Sequence, residues 1–454
     1  MKYYYLIGIG GSGMNALAQV FIRQGAHVSG SDRSYDRGEN KELFQKLKKI
    51  GVELYLQNGS GINRKIDKVI VSRAVENHNP DFLQAKKYQI PISYRQDELK
   101  NIFRKKSGIA VAGTCGKSTV VGMIGCILHN AGRRISVING GIVKNYETKS
   151  DIGNVRISNN TIFIIETDES EGNLDGYFPK IAVLTNIGCD HVPENQLRKI
   201  YKKFINFAKE RIIINNQIKI PVKRNISVSF GVFGDADLKP EEIKLYPNYS
   251  VFKLKNIKVR IGLPGLHNVE NALASIAACR ACGVSLEKCA EGVAKFKGIK
   301  RRFELVYKKD NIRVIDDFAH NPDKIQAALK TAKIADGRVI AIYQPHGYRP
   351  TKMFLNQLAD VFTSCLSKND FLFLPEIYFA GGTAEKDISS KDLVREIKKR
   401  NRFLRVKYVK NRIEILRIID KIIKHGDTVL IMGARDNTLS DFAKQVAKLL
   451  KNRV

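Results

Sequence analysis

The chain has 454 residues, 43% of them hydrophobic, and a formal net charge of +32 from 77 Lys and Arg against 45 Asp and Glu. That length suits two or three cores rather than one, and the apolar content is ordinary for a globular protein. No apolar run approaches the ~18 residues of a membrane span, and seven irregularly spaced cysteines without an apolar leader point to a reducing, cytoplasmic setting rather than a disulfide scaffold.

An apolar strand is predicted over 3–7, then Gly8-Ile9-Gly10-Gly11-Ser12-Gly13, then a helix carrying Met14, Leu17, Ala18, Phe21 and Ile22 at helical spacing. A second strand over 26–29 ends at Gly30-Ser31-Asp32. This is a nucleotide-binding βαβ opening: the glycines permit a tight turn and close approach of a diphosphate, and the acid after strand two can bond a ribose. Taken alone, the turn reads as readily as the dinucleotide site of a dehydrogenase. A helix over 96–103 and the basic run Arg104-Lys105-Lys106 close this first domain, expected over 1–104.

A second glycine turn follows the apolar strand 109–112 and opens an apolar helix. Backbone N–H groups of Gly113, Thr114 and Gly116 can converge on polyphosphate oxygens at the helix N-terminus, Lys117 adds a point charge, and the Ser118 or Thr119 hydroxyl can ligate a divalent cation. The usual GxxxxGK[ST] spacing is not met, because Val111 stands five before Gly116. Strands over 161–165 and 181–185 then deliver Glu166-Thr167-Asp168-Glu169-Ser170 and Asn186-Ile187-Gly188-Cys189-Asp190-His191. Ligands of open α/β sheets bind at such strand ends, so these acids suit a metal beside the phosphates.

Residues 211–262 alternate short apolar runs with polar turns and read as a small antiparallel excursion on the main sheet. Gly265-Leu266-His267-Asn268-Val269-Glu270-Asn271 opens a long helix to about Cys282. Cys279, Cys282 and Cys289 lack a fourth partner and fit buried helix positions better than a metal site. A hinge is expected at 296–300, before Arg301-Arg302. The last third alternates strand and helix, with polar clusters after the strands over 313–315 (Asp316-Asp317-Phe318-Ala319-His320-Asn321-Pro322), 339–343 (Gln344-Pro345-His346-Gly347-Tyr348-Arg349-Pro350) and 428–432 (Gly433-Ala434-Arg435-Asp436). That order predicts a parallel doubly wound sheet.

Gly113-Thr114-Cys115-Gly116-Lys117-Ser118-Thr119 resembles the ATP loop of the Mur ligase family, the ATP-dependent amide-bond-forming enzymes of peptidoglycan precursor synthesis. The first glycine turn with Met14, Gly30-Ser31-Asp32 and Val71-Ser72-Arg73-Ala74-Val75-Glu76-Asn77-His78-Asn79-Pro80 resembles one branch, which joins alanine or a peptide to UDP-N-acetylmuramate. The resemblance implies three α/β domains: a Rossmann-like UDP-sugar domain (1–104), a central P-loop-type ATP domain (105–297) and a Rossmann-like amino-acid domain (298–454). It assigns Gly8, Gly10, Gly11, Ser12, Gly13, Met14, Ser31, Asp32 and Ser72 to the UDP-sugar. To ATP it assigns 113–119, His267, Asn268, Asn271, Arg302 and one of Asp316 or Asp317, and to Mg2+ Ser118, Glu166 and His191. Lys117, Arg302, His320 and His346 are the catalytic candidates.

The expected partners are UDP-N-acetylmuramate, ATP and L-alanine or another small amino acid, with a murein peptide as the alternative acceptor, in a monomer or weak dimer. The branch usually carries Glu where Gly188 stands, Asp where Val192 stands, and arginines where Gly347 and Pro350 stand. Arg349, Arg435 or Lys352 could supply the missing positive charge. The dehydrogenase reading leaves the Lys117 loop without a task. The basic excess is spread over solvated lysines such as Lys48, Lys105, Lys202 and Lys398 rather than gathered with aromatics, so no specific nucleic-acid binding is expected.

Overall fold

The computed structural model describes residues 1–452 except 74, 107, 160–161, 170–173, 189–192 and 380–384. The chain divides into two compact units, Met1–Asn186 with Leu197–Lys239 and Asn271–Ile299, and Ile187–Gln196 with Pro240–Glu270 and Lys300–Val454.

The first unit holds two sheets. Strands β1 (Tyr3–Ile7), β2 (His27–Ser31), β3 (Glu53–Tyr55), β4 (Lys68–Val71) and β5 (Ile92–Tyr94) are all parallel, in the order β3-β2-β1-β4-β5. The order reverses direction at β1, so a crevice opens at its carboxyl end, where the first glycine turn lies. The second sheet comprises β6 (Gly108–Ala112), β7 (Ile135–Ile138), β8 (Val155–Arg156), β9 (Ile162–Glu166), β10 (Ile181–Leu184), β11 (Arg211–Asn215) and β12 (Ser227–Phe230). Its order is β12-β11-β10-β6-β9-β7-β8, and β8 alone runs antiparallel to its neighbour. Every residue of β6 is buried, as expected of a central parallel strand covered on both faces.

In the second unit β13 (Ile243–Tyr246), β14 (Tyr249–Leu254) and β15 (Ile257–Ile261) form an antiparallel meander. Strands β16 (Glu304–Lys309), β17 (Ile312–Asp317), β18 (Val339–Tyr343), β19 (Phe371–Pro375), β20 (Arg405–Val409) and β21 (Thr428–Met432) form a sheet in the order β16-β17-β21-β18-β19-β20, parallel except for the edge strand β16. Side chains alternate between its faces. Ile315, Ala341, Tyr343, Leu372, Leu430 and Met432 enter one core, while Val314, Ile340, Ile342, Phe373, Val429 and Ile431 enter the other.

The expected antiparallel excursion over 211–262 is only half right. β11 and β12 extend the main parallel sheet, and only the three strands from Ile243 to Ile261 are antiparallel. The burial pattern explains the difference. β11 carries consecutive buried residues, the mark of a strand covered on both faces, whereas β14 alternates at period two. No helix among the described residues is long and apolar enough to cross a membrane.

Candidate functional site

The first glycine turn is held by its own backbone. Gly8, at φ +82°, donates its N–H to Ser31 O (2.8 Å), and Gly10 N–H donates to Asp32 Oδ2 (2.8 Å). A Cβ on Gly10 would stand 2.9 Å from Asp32 Cγ, so glycine is required there. The other Asp32 oxygen accepts from Ser34 N–H (2.8 Å), which makes this acid a turn organiser. Ser31 is fully buried and its hydroxyl donates to Asp81, whose carboxylate also accepts from Tyr5 Oη (3.2 Å) and Gly59 N–H (2.7 Å). Ser72 Cβ lies 3.5 Å from where a Cβ on Gly8 would be. Arg95 occupies the space over Gly13, with Nη1 2.3 Å from the position a Cβ would take there.

The second turn carries a cation in its own stretch of chain, where the first borrows one from Arg95. Lys117 Nζ donates to Gly113 O (2.6 Å) and to both oxygens of Glu169 (2.8 and 2.9 Å). Desolvation works against the buried ammonium, but Glu169, Glu166 and Asp168 outweigh it and hold Lys117 above its ordinary value. Burial raises the Glu169 carboxyl while Lys117 opposes that shift. Asn186 reads the turn through Cys115, accepting from its N–H (2.8 Å) and donating to its carbonyl (3.0 Å). A Cβ on Gly116 would meet Asn271 Oδ1 at 2.3 Å, so Asn271 from the helix Leu266–Ala281 presses directly on the loop.

Glu166 at the end of β9 accepts from Gly140 N–H (2.8 Å). A Cβ on Gly140 would lie 2.6 Å from Glu166 Oε2, and one on Gly141 4.0 Å from Ser118 Oγ. Gly140 therefore keeps open the space beside the Glu166 carboxylate, while a Cβ on Gly141 would meet Ile299 Cγ2 at 2.6 Å; the oxygens of Glu166 and Ser118 are of the type that suits a hard cation such as Mg2+. His191, the third expected ligand, lies outside the described residues, among which no group of three or more His, Cys, Asp or Glu could hold a metal. Cys279 and Cys289 are buried and their thiols are raised by burial, Cys289 to about 12, so both are inert core residues.

In the second unit, the pleat of β17 separates the two neighbouring acids. Asp316 is buried, 3.5 Å from Arg301 Nε, and accepts from Ser440 Oγ (2.6 Å). Asp317 accepts from Phe303 N–H and Ala319 N–H (both 2.6 Å) and so shapes the strand-end loop. Burial pushes its carboxyl up to about 6 against the pull of Arg302 and these N–H groups. Arg301 and Arg302 both lie against the Phe318 ring, 5.1 and 4.9 Å from its centroid.

His320 and His346 are brought edge to face with ring centroids 5.3 Å apart. His320 Nδ1 lies 2.8 Å from Phe318 O. A carbonyl only accepts, so the proton sits on Nδ1 and Nε2 keeps its lone pair. Burial, with Lys324, His346 and Arg302 nearby, holds this imidazole well below its ordinary pKa. His267 is likewise lowered by burial, to about 4. Asn268 spends one donor on Pro264 O (2.7 Å).

Three stretches of the chain match family models: Mur ligase family, catalytic domain, over 3–107; Mur ligase middle domain, over 111–279; and Mur ligase, glutamate ligase domain, over 301–435. The chain is 31% identical to the UDP-N-acetylmuramate--L-alanine ligase of Sulfurihydrogenibium sp., covering 100% of this chain and 99% of that protein. It is 33% identical to the enzyme of that name from Persephonella marina, with 100% and 98% covered. The chain belongs to the Mur ligase family.

The crystal structure of UDP-N-acetylmuramate-alanine ligase from Thermotoga maritima superposes with a TM-score of 0.81 at 25% identity, over 100% of both chains. A murein peptide ligase from Psychrobacter arcticus shares the fold, with a TM-score of 0.68 at 23% identity. Mur ligases are ATP-dependent.

Several residues that shape this Mur ligase's sites carry no expectation from the motifs. Arg95 and Asn139-Gly140-Gly141 are the main ones in the first unit, and Glu169, expected among the acids suited to a metal, is instead paired with Lys117. An Asn-Gly-Gly directly after the apolar run 135–138 is a strand-end signal that could have found that triplet. In the second unit Arg412 ties Gln344 (2.7 Å) to Asp436 (2.5 Å), joining the loops after β18 and β21. Of the substitutes considered for the missing arginines, Lys352 pairs with Asp387, while Arg349 and Arg435 are exposed.

Proposed function

We propose that this protein is an ATP-dependent carboxylate–amine ligase that joins L-alanine to the lactyl carboxylate of UDP-N-acetylmuramate. The observation that carries the reading is the Lys117 turn with Glu166 and Ser118 beside it, in a chain that matches enzymes of that name from end to end.

A carboxylate is a poor electrophile and must be activated before an amine can attack it. The lactyl carboxylate oxygen attacks the γ-phosphorus of ATP, the bond to the ADP oxygen breaks, and an acyl phosphate and ADP result. Lys117 and Arg302 neutralise charge on the phosphoryl oxygens as it develops. Ser118 and Glu166, with His191, would hold Mg2+, which supplies Lewis-acid stabilisation of the phosphate oxygens when bound. The amine then attacks the acyl carbon, forming the C–N bond and releasing phosphate. His320, neutral and with Nε2 unprotonated, is suited to take the amine proton, with His346 against its ring. Gly8 to Met14, with Asp32 shaping the turn and Ser72 beside it, would receive the UDP diphosphate. Thr114, Cys115, Thr119, His267, Asn268 and Asn271 would surround ATP. Of the two acids, half-buried Asp317, rather than the more deeply buried Asp316, would face the ribose.

A second acceptor class is kept by one observation. Gly347 and Pro350 stand where the branch carries arginines, which leaves more room and less charge around the acceptor carboxylate. The test is phosphate release by the purified protein with ATP, Mg2+ and UDP-N-acetylmuramate, screened against single amino acids and short peptides, with mass measurement of the product. L-alanine should give the highest kcat/KM. A peptide-only response would move the assignment to the second class, and no release with any acceptor would end both.

A further inference from the structure

A continuous hydrogen-bond relay, buried except at its Ser12 end, joins the two glycine turns of the first unit, and it is centred on Asn154. Asn154 lies just before β8, the antiparallel edge strand, and is 1% exposed. Its Nδ2 donates to Ser12 O (3.1 Å) and to Asn15 Oδ1 (2.7 Å), while its Oδ1 accepts from Gln19 Nε2 (2.9 Å). All these partners belong to the helix Ser12–Arg23 that begins in the first turn.

The backbone carries the relay onward. Asn154 O accepts from Asn139 N–H (2.9 Å), and Asn139 Nδ2 donates to Ser118 O (2.9 Å), in the first turn of the helix Lys117–Asn130 that leaves the second glycine turn. Asn15, Gln19, Asn139 and Ser118 are all buried. The same stretch of chain is tied to the N-terminal domain at its edges, by Lys46 on Glu147 (3.1 Å) and Arg23 on Asp151 (3.5 Å).

We infer that Asn154 and Asn139 are positioning residues. They fix the turn that receives the UDP-sugar against the turn that receives ATP, and so set the line of attack of carboxylate on phosphorus. The inference rests on the reading of the two turns given above. Both hydrogens and one lone pair of the Asn154 carboxamide are used, three of the four bonds the group can make. Aspartate at this position would set a carboxylate against Ser12 O and Asn15 Oδ1, replacing two attractions by repulsion. Neither residue has been given contact with a substrate, so their removal should spare each binding event and damage the step that needs both.

The experiment compares wild type with Asn154→Asp, Asn154→Ala and Asn139→Ala. It measures kcat for phosphate release with the preferred acceptor, and the Kd of a non-hydrolysable ATP analogue and of UDP-N-acetylmuramate, each titrated alone. Misplacing reacting atoms by about 1 Å costs on the order of 10²-fold, so kcat should fall roughly 10- to 100-fold, most in Asn154→Asp, with both Kd values within about threefold of wild type. Unchanged kcat in a folded variant overturns the inference, as does a parallel loss of both affinities, which would mark the network as merely structural. Asn139→Ala, internal to the middle domain, carries the test if the Asn154 variants do not fold. A wild type inactive with every acceptor would instead refute the ligase reading itself, so the two failures are distinguishable.

Discussion

The two glycine turns of the first unit share a backbone plan and differ in charge. Each follows a buried parallel strand, each opens a helix, and each uses glycine at positive φ, at Gly8 and at Gly113 and Gly116. In the first turn the nearby acid is spent on Gly10 and Ser34 N–H groups, and the cation over Gly13 comes from Arg95 of another helix. In the second, Lys117 is part of the turn and is matched by buried Glu169, with Glu166 close by. A turn that only holds a diphosphate needs N–H groups and space. A turn at which a phosphoryl group moves needs charge that is already in place, and that distinction separates binding from chemistry where the glycine pattern does not.

The sharpest way to break this contrast is Lys117→Ala. Loss of a preorganised charge at the transferring phosphate should lower kcat by about 10³-fold or more at every acceptor concentration, measured as phosphate release. Gly13→Ala acts on the other turn, where the new Cβ would stand 2.3 Å from Arg95 Nη1. The KM for UDP-N-acetylmuramate should rise roughly tenfold, about one displaced charge-assisted contact, while the KM for ATP holds. Equal movement of both would erase the contrast.

Glu169→Gln preserves shape but removes the carboxylate that phosphate must replace on Lys117. ATP should bind roughly fivefold more tightly by calorimetry, about 1 kcal/mol of relieved competition, and weaker binding would make Glu169 part of the nucleotide site instead. A last effect, on stability and not on turnover, concerns His267. Its pKa is lowered from 6.5 to about 4 in the fold, so the unfolded chain takes up the proton first and stability falls as pH drops from 6.5 toward 4. Urea titrations of His267→Gln should lose up to ~1.4 kcal/mol per pH unit of that slope, the contribution of one proton.

How much of this was legible in the sequence depends on distance along the chain. The strands over 3–7, 339–343 and 428–432 are found where their apolar runs predict them, because a strand buried on both faces announces itself by composition alone. The clusters after them follow from the same rule. Asp316 and Asp317 are chemically identical neighbours that only the pleat distinguishes, and the alternation of Val314 and Ile315 between two cores already implied opposite faces. β8 was beyond reach. Two residues have no periodicity, and Asn154 has meaning only through Ser12, Asn15 and Gln19, more than a hundred positions earlier. Arg412 is hidden for the same reason, since its partners Gln344 and Asp436 come from other strand ends.

Phe103, from the last turns of the helix Arg95–Arg104, is fully buried, with its ring 6.0 Å from Phe163 and 5.7 Å from Tyr177 of the middle domain. A gene cut near codon 104 would therefore yield two awkward fragments, one ending in a bare aromatic plug and the other with an open socket beside Gly108. For this enzyme the leading domain alone is therefore a poor unit of expression, crystallisation or domain exchange, and a junction after residue 299 would in turn part Pro240–Glu270 from the unit it belongs to.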